Sequence, residues 1–234
     1  TMDFSTEDED TPPPFLKRRS TWLFAAAGLV ALVLAGRWLK VASVEKEISA
    51  LTSQRQYDAA WSKLRSSRSW LGDCSRIGLE ADLVRQDDRA DTLVLRAADS
   101  LKGCRVPADS ILELVSLGNL RIAAHSSGLD SSALWGLHTT AFTAASKCVE
   151  ADSSNMACRA LGFRALVGMK DSYAQISWIK GALARWPKDS QFLAMDQEAT
   201  RANEAARSGI EKAPAAVAPE PAAKKSTKAK KKHK

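Results

Sequence analysis

Four cysteines, three histidines and a block of lysines carry most of the chemistry in this 234-residue chain. Cys74, Cys104, Cys148 and Cys158 contain no C-x-x-C pair, and His125, His138 and His233 do not fall at zinc-ligand spacings. Neither a thiol-exchange centre nor a zinc site follows. His125 precedes Ser126 and Ser127, with Asp130 close by, yet G-x-S-x-G is absent and so is a phosphate-cradling glycine loop. Serine is common here, so such sets arise by chance. Asp87-Asp88 reads as a pair of acids opening a helix, where the helix dipole favours negative charge. These residues supply no catalytic centre and call for no cofactor or metal, so the chain reads as a non-enzyme.

The lysines explain the net charge. Lys224, Lys225, Lys228, Lys230, Lys231, Lys232 and Lys234 all lie in the last eleven residues, which contain no acid, and they equal the whole formal excess of +7. A broadly basic surface is therefore not implied. The Pro/Ala-rich stretch before them makes an extended arm. The block itself suits an anionic envelope polymer or lipid, bound electrostatically and released by salt. It has no aromatic residue for base stacking, so sequence-specific nucleic acid is not expected. A solubilising tail without a partner is the competing reading.

Residues 21–39, TWLFAAAGLVALVLAGRWL, are apolar on every side. The span works with Arg37 at one boundary, its guanidinium reaching the headgroups. Trp22 and Trp38 then sit about 24 Å apart as interfacial anchors. A cleaved signal peptide competes, with Val33-Leu34-Ala35 as its processing site. Against it stands a polar lead containing Glu7-Asp8-Glu9-Asp10 and Pro12-Pro13-Pro14. Basic residues near the two ends (Lys17, Arg18, Arg19 against Arg37, Lys40, Lys46) tie, so charge does not orient the span. Thr1 ahead of Met2 leaves open a fragment of a longer protein.

Beyond the span, strand signals are almost absent and apolar residues recur at helical spacing. Val44, Ile48 and Leu51 begin the series, and Tyr57, Ala60, Trp61 and Leu64 continue it on a second helix. Ile77, Leu83 and Val84 mark a third, Leu93 to Leu101 a fourth, Ile111 to Leu120 a fifth and Leu134 to Cys148 a sixth, with two more following. Short breaks at 53–56, 87–89, 126–130, 152–155 and 168–171, with Pro107 and Pro187 as further stops, force antiparallel neighbours. Such hairpins bring Cys74 to Cys104 and Cys148 to Cys158 at the separation of about 5.5 Å that a disulfide needs. Two local pairs point to an oxidising compartment. Four unrelated buried thiols remain the alternative.

Residues 147–190, KCVEADSSNMACRALGFRALVGMKDSYAQISWIKGALARWPKDS, resemble a tetratricopeptide repeat and the end of its predecessor. Leu161-Gly162 with Ala165 resembles the first helix of the motif, and Ala174, Trp178 and Gly181 the small-large-small face of the second. Pro187 resembles the terminating proline, one position late. Gln56-Tyr57-Asp58-Ala59-Ala60 echoes the start at Asp171-Ser172-Tyr173-Ala174. The resemblance implies stacked helical hairpins that bind a protein partner in a continuous groove.

The expected organisation is a non-folding N-terminal segment over 1–20, a transmembrane helix over 21–40, an all-α domain similar to a short tetratricopeptide solenoid over 41–210, and a Pro/Ala/Lys tail over 211–234. The expected role is a membrane-anchored protein–protein interaction scaffold of a bacterial-type envelope assembly, with the N-terminus cytoplasmic and the helical domain periplasmic. Two alternatives stay open. One is the membrane and sensory portion of a signalling receptor (a kinase or a phosphopeptide-binding protein), and the other a cytoplasmic-facing tether that uses the lysine tail.

Overall fold

The structure is a computed structural model and describes residues 14–89 and 91–212. Among the described residues there are nine helices and no strand: α1 (Pro14–Ser53), α2 (Tyr57–Ser66), α3 (Asp73–Gln86), α4 (Asp91–Leu101), α5 (Ala108–His125), α6 (Ser131–Ala151), α7 (Met156–Gly168), α8 (Ser172–Leu183) and α9 (Ser190–Lys212). The chain divides into two compact units, up to Gly162 and from Phe163 onward.

Helix α1 joins two environments without a break. Its first part carries exposed apolar side chains, Trp22, Phe24 and Leu32 among them, and over Ala26–Ser53 it is long and apolar enough to cross a membrane. Its last turns bury Val44 and Ile48 against Ala60, Leu64, Leu71 and Leu83. The expected boundary at residue 40 is thus no interruption. No proline or glycine falls between Trp38 and Ser53, so nothing in that stretch breaks the helix.

In the first unit consecutive helices from α1 through α6 pack on one another, with α1 also against α3 and α3 against α5. A second cluster unites Ala81, Val84, Val94, Ala97, Ala98, Leu101 and Leu114. Trp61 touches both clusters, and its indole N–H donates to Asp87 Oδ2 at 3.2 Å. Helices α4 and α5 approach closely at Gly118, where an added Cβ would lie 2.6 Å from Leu95 Cδ2.

Buried Arg121 terminates α3 from a distance. Its guanidinium donates to the carbonyls of Val84, Arg85 and Asp87, and to Asp88 Oδ1 at 2.9 Å. Those last-turn carbonyls have no partner within their own helix, and a cation there also meets the negative end of the dipole.

Two connections share one geometry. Arg55 (φ 59°) and Lys170 (φ 58°) both adopt the left-handed conformation after a helix. Gln56 N–H then donates to Leu51 O and Arg55 N–H to Thr52 O, while Asp171 N–H donates to Leu166 O and Lys170 N–H to Val167 O. This is the same paired-bond C-terminal turn twice. The similarity of Gln56-Tyr57 to Asp171-Ser172-Tyr173 in sequence is therefore a similarity of turns.

Within the second unit α8 packs against α9. Phe163, Ala165, Leu166, Ile179, Ala182, Phe192, Met195 and Ala199 are its buried apolar residues. Asp171 Oδ1 caps α8 through Ala174 N–H, and Asp189 Oδ1 caps α9 through Gln191 and Phe192 N–H. Helix α9 follows the stop at Trp186-Pro187 and runs to Lys212, two residues past the expected end of the domain.

Candidate functional site

Where the apolar part of α1 meets the first unit, Arg37, Trp38, Lys40 and Trp70 lie close together, whereas Trp22 stands about 24 Å away along the helix. Trp22 and Trp38 are exposed, 77% and 69%, as is Arg37. Lys40 Nζ lies 3.7 Å from the centre of the Trp70 ring. That contact brings the α2–α3 connection to the level of Lys40 on α1, two residues past Trp38.

The cysteines pair as the hairpin argument requires. Cys74 and Cys104 lie 5.6 Å apart at Cα, joining the start of α3 to the residues after α4. Cys148 and Cys158 lie 6.1 Å apart and bridge the α6–α7 connection. Cys74 is exposed, whereas Cys148 and Cys158 are fully buried. Cys148 Sγ also meets Asp109 O at 3.4 Å, and Asn155 donates to Asp109 Oδ2 at 3.2 Å, so the second bridge is tied to the start of α5.

One side of the α2–α3–α4 layer opens into a pocket of about 500 Å³. Trp61 and Leu64 on α2 and Leu93 on α4 form its apolar wall. Arg65 on α2, Arg68 in the α2–α3 connection, Arg76 on α3 and Arg96 on α4 bring four guanidinium groups to it. Asp58 and Glu80 are its acids, and both have partners: Asp58 meets Arg89 at 3.2 Å and Glu80 meets Arg76 at 3.4 Å. Among the described residues Arg65, Arg68 and Arg96 make no ion pair, and Arg76 Nε is buried without an acceptor. The pocket therefore carries an uncompensated positive charge beside an indole and two leucines.

The opposite end of the unit is held by ionic contacts. Burial acts to raise the Asp87 carboxyl, but hydrogen bonds from the side chain and backbone of Arg89 and from the Trp61 indole outweigh it and hold it below the usual aspartate range. The partners Asp87 and Asp58 push the exposed Arg89 guanidinium further into its charged form. The expectation that Asp87-Asp88 opens a helix is corrected here: Asp87 follows the last residue of α3, and α4 begins at Asp91. Acids tolerate that position because Arg89 and Arg121 neutralise them.

His125 Nδ1 meets Asp91 at 2.6 Å, while Asp130 is occupied as the cap of α6 through Ala133 N–H. Ser126 and Ser127 are exposed beyond the end of α5. Burial lowers the His138 imidazole below its ordinary value, and its Nδ1 has no partner. No group of three metal-ligating side chains occurs among the described residues.

Of the repeat-like positions, Leu161, Gly162 and Ala165 are buried. On α8 the innermost line is Gln175, Ile179 and Ala182, one residue on from Ala174, Trp178 and Gly181, of which the first two are half-buried and Gly181 is exposed. Pro187 is exposed between α8 and α9. Lys224, Lys225, Lys228, Lys230, Lys231, Lys232 and Lys234 lie outside the described residues, as does most of the N-terminal segment. The arginine pocket and the Arg121 cap had no counterpart in the sequence reading. Arg65 and Arg68 are visible there only as two charges three residues apart, one in α2 and one just past its end. Comparison with family models, curated proteins and solved structures gave no match.

Proposed function

We propose that this chain is a single-pass membrane protein whose helical domain lies outside the cytoplasm and acts as an interaction scaffold. The carrying observation is the continuity of α1: one helix exposes apolar side chains between Trp22 and Leu39 and then contributes Val44 and Ile48 to the domain core. A domain built on the end of its own anchor is held at a fixed height above the bilayer. The two cysteine pairs at bonding separation support the oxidising side of the membrane. Stacked hairpins leave the side chains between helices available to a partner protein. The sensory portion of a signalling receptor is the second reading, and the same unbroken helix favours it, because motion in the domain would pass into the span. The lysine block adds an electrostatic contact with an anionic envelope polymer or lipid.

A thiol count in intact cells tests the topology, using a membrane-impermeant mass-tagging maleimide before and after reduction. The exported reading requires the cysteines to label only after reduction. Four free thiols on unfolding without reductant would move the domain to the cytoplasmic side and leave the lysine block as a lipid or nucleic-acid tether.

A further inference from the structure

We propose that the pocket between α2, α3 and α4 is an oxyanion site for a phosphate group carried on an apolar body. Four arginines and two acids line it, and the acids are already engaged by Arg89 and Arg76. Elsewhere in this unit Arg85, Arg89 and Arg121 have carboxylate partners, and arginines without one, such as Arg55 and Arg105, line no common pocket with a second unpaired guanidinium among the described residues. At the pocket three guanidinium groups lack a carboxylate partner among the described residues, and the Arg76 Nε–H is buried with its hydrogen bond unmade. An incoming acceptor would make the hydrogen bond that this buried donor lacks.

Phosphate suits this set better than carboxylate. A carboxylate has two oxygens and is matched by one guanidinium fork, whereas a phosphate offers enough acceptors for several. Trp61, Leu64 and Leu93 supply the apolar wall for whatever carries the phosphate. The volume of about 500 Å³ lies in the range of small-ligand sites.

Two sources share this chemistry: a phospholipid headgroup and a soluble organic phosphate. Arg68 lies two residues before Trp70, which stacks beneath Lys40 at the end of the apolar part of α1. That places the α2 end of the pocket within reach of headgroups, and this lipid source alone rests on reading α1 as a span.

Arginine modification by phenylglyoxal, read peptide by peptide by mass spectrometry on the full chain in phosphatidylcholine nanodiscs, tests the proposal. Exposed Arg164 serves as the internal reference. Phenyl phosphate at ten times its dissociation constant should slow modification of Arg65, Arg68 and Arg96 about tenfold and leave Arg164 unchanged. Protection in discs that contain phosphatidic acid, without phenyl phosphate, assigns the lipid source. Protection by phenyl phosphate alone assigns the soluble one. Arg96→Glu, checked for native helix content and intact disulfides, should abolish protection at Arg65 and Arg68. The proposal is overturned if neither ligand protects, if benzoate protects as well as phenyl phosphate, or if Arg96→Glu leaves protection intact. The phenyl phosphate arm also runs in detergent micelles, so failure of the chain to enter nanodiscs would count against the span and not against the pocket.

Discussion

Replacing Arg121 with alanine should destabilise the domain by about 3–5 kcal/mol. Its guanidinium supplies the hydrogen bonds that three carbonyls at the end of α3 cannot find in their own helix. Hydrogen bonds from a charged donor contribute about 1.5–3 kcal/mol each, and water can reach some of the freed carbonyls, which sets the lower bound. The fourth contact is to Asp88, whose side chain is 87% exposed, so that pair contributes well under 1 kcal/mol. Two controls separate these effects. Arg121→Lys keeps a cation near the end of α3 but cannot span four acceptors, so it should lose roughly half of the stabilisation. Asp88→Asn should cost less than about 0.5 kcal/mol. Urea unfolding followed by far-ultraviolet circular dichroism, with disulfides intact, measures all three. An Arg121→Ala variant within about 1 kcal/mol of the parent, or an Asp88→Asn variant as damaged as Arg121→Ala, would refute the carbonyl-capping argument.

The two disulfides should respond differently to treatment. By loop closure alone, separations of 30 and 10 residues correspond to about 3.6 and about 2.7 kcal/mol, so removing the Cys74–Cys104 pair as alanines should cost more. The same bond should be reduced first under native conditions, because Cys74 is exposed and the other pair is buried; timed alkylation and peptide mapping check the order. Gly118→Ala should destabilise by about 1–2 kcal/mol, the clash with Leu95 outweighing the gain in helix propensity, and Leu95→Ala should lessen that penalty in a double-mutant cycle. Asp87 holds its carboxyl below the ordinary value of 3.8, so its ionised form stabilises the native state above that value, and the contribution is lost as pH falls through the lowered pKa. In acid titrations of stability Asp87→Asn should therefore flatten the fall below that value while leaving the neutral side parallel.

What was legible in the sequence is local. The breaks at 53–56, 126–130, 152–155 and 168–171 fall where helices end, because turn residues and caps such as Asp130 and Asp171 act within a few positions. The cysteine pairs were legible for the same reason: a hairpin's geometry follows from the length of its turn. The α8 register was harder. Gln175 occupies the buried line and donates to Leu166 O at 3.2 Å, so counting apolar residues passes over it and selects the neighbouring face. Asp87-Asp88 was misplaced because part of its compensation is remote: Trp61 donates to the Asp87 carboxylate and Arg121 pairs with Asp88, 26 and 33 residues away. The arginine pocket depends on three helices meeting, and no spacing within one helix announces it.

Alternation of direction also decides where each kind of tie falls. Successive antiparallel helices put the α2–α3, α4–α5 and α6–α7 connections at the end of the unit near Lys40 and Trp70, and the α1–α2, α3–α4 and α5–α6 connections at the other. Both cysteine pairs sit at the first end. At the second, Arg89 bridges Asp87 and Asp58, His125 meets Asp91, and Arg121 closes α3. One end is thus held covalently and the other mainly by charge. Salt weakens exposed ion pairs and leaves disulfides untouched, while a reductant does the reverse. Hydrogen exchange should accordingly rise first around residues 55–58 and 87–91 as ionic strength increases, and first around residues 72–76 and 102–106 under mild reduction. Equal loosening of both ends by either treatment would mean that the helices open as one block and that the division between the two ends has no energetic content.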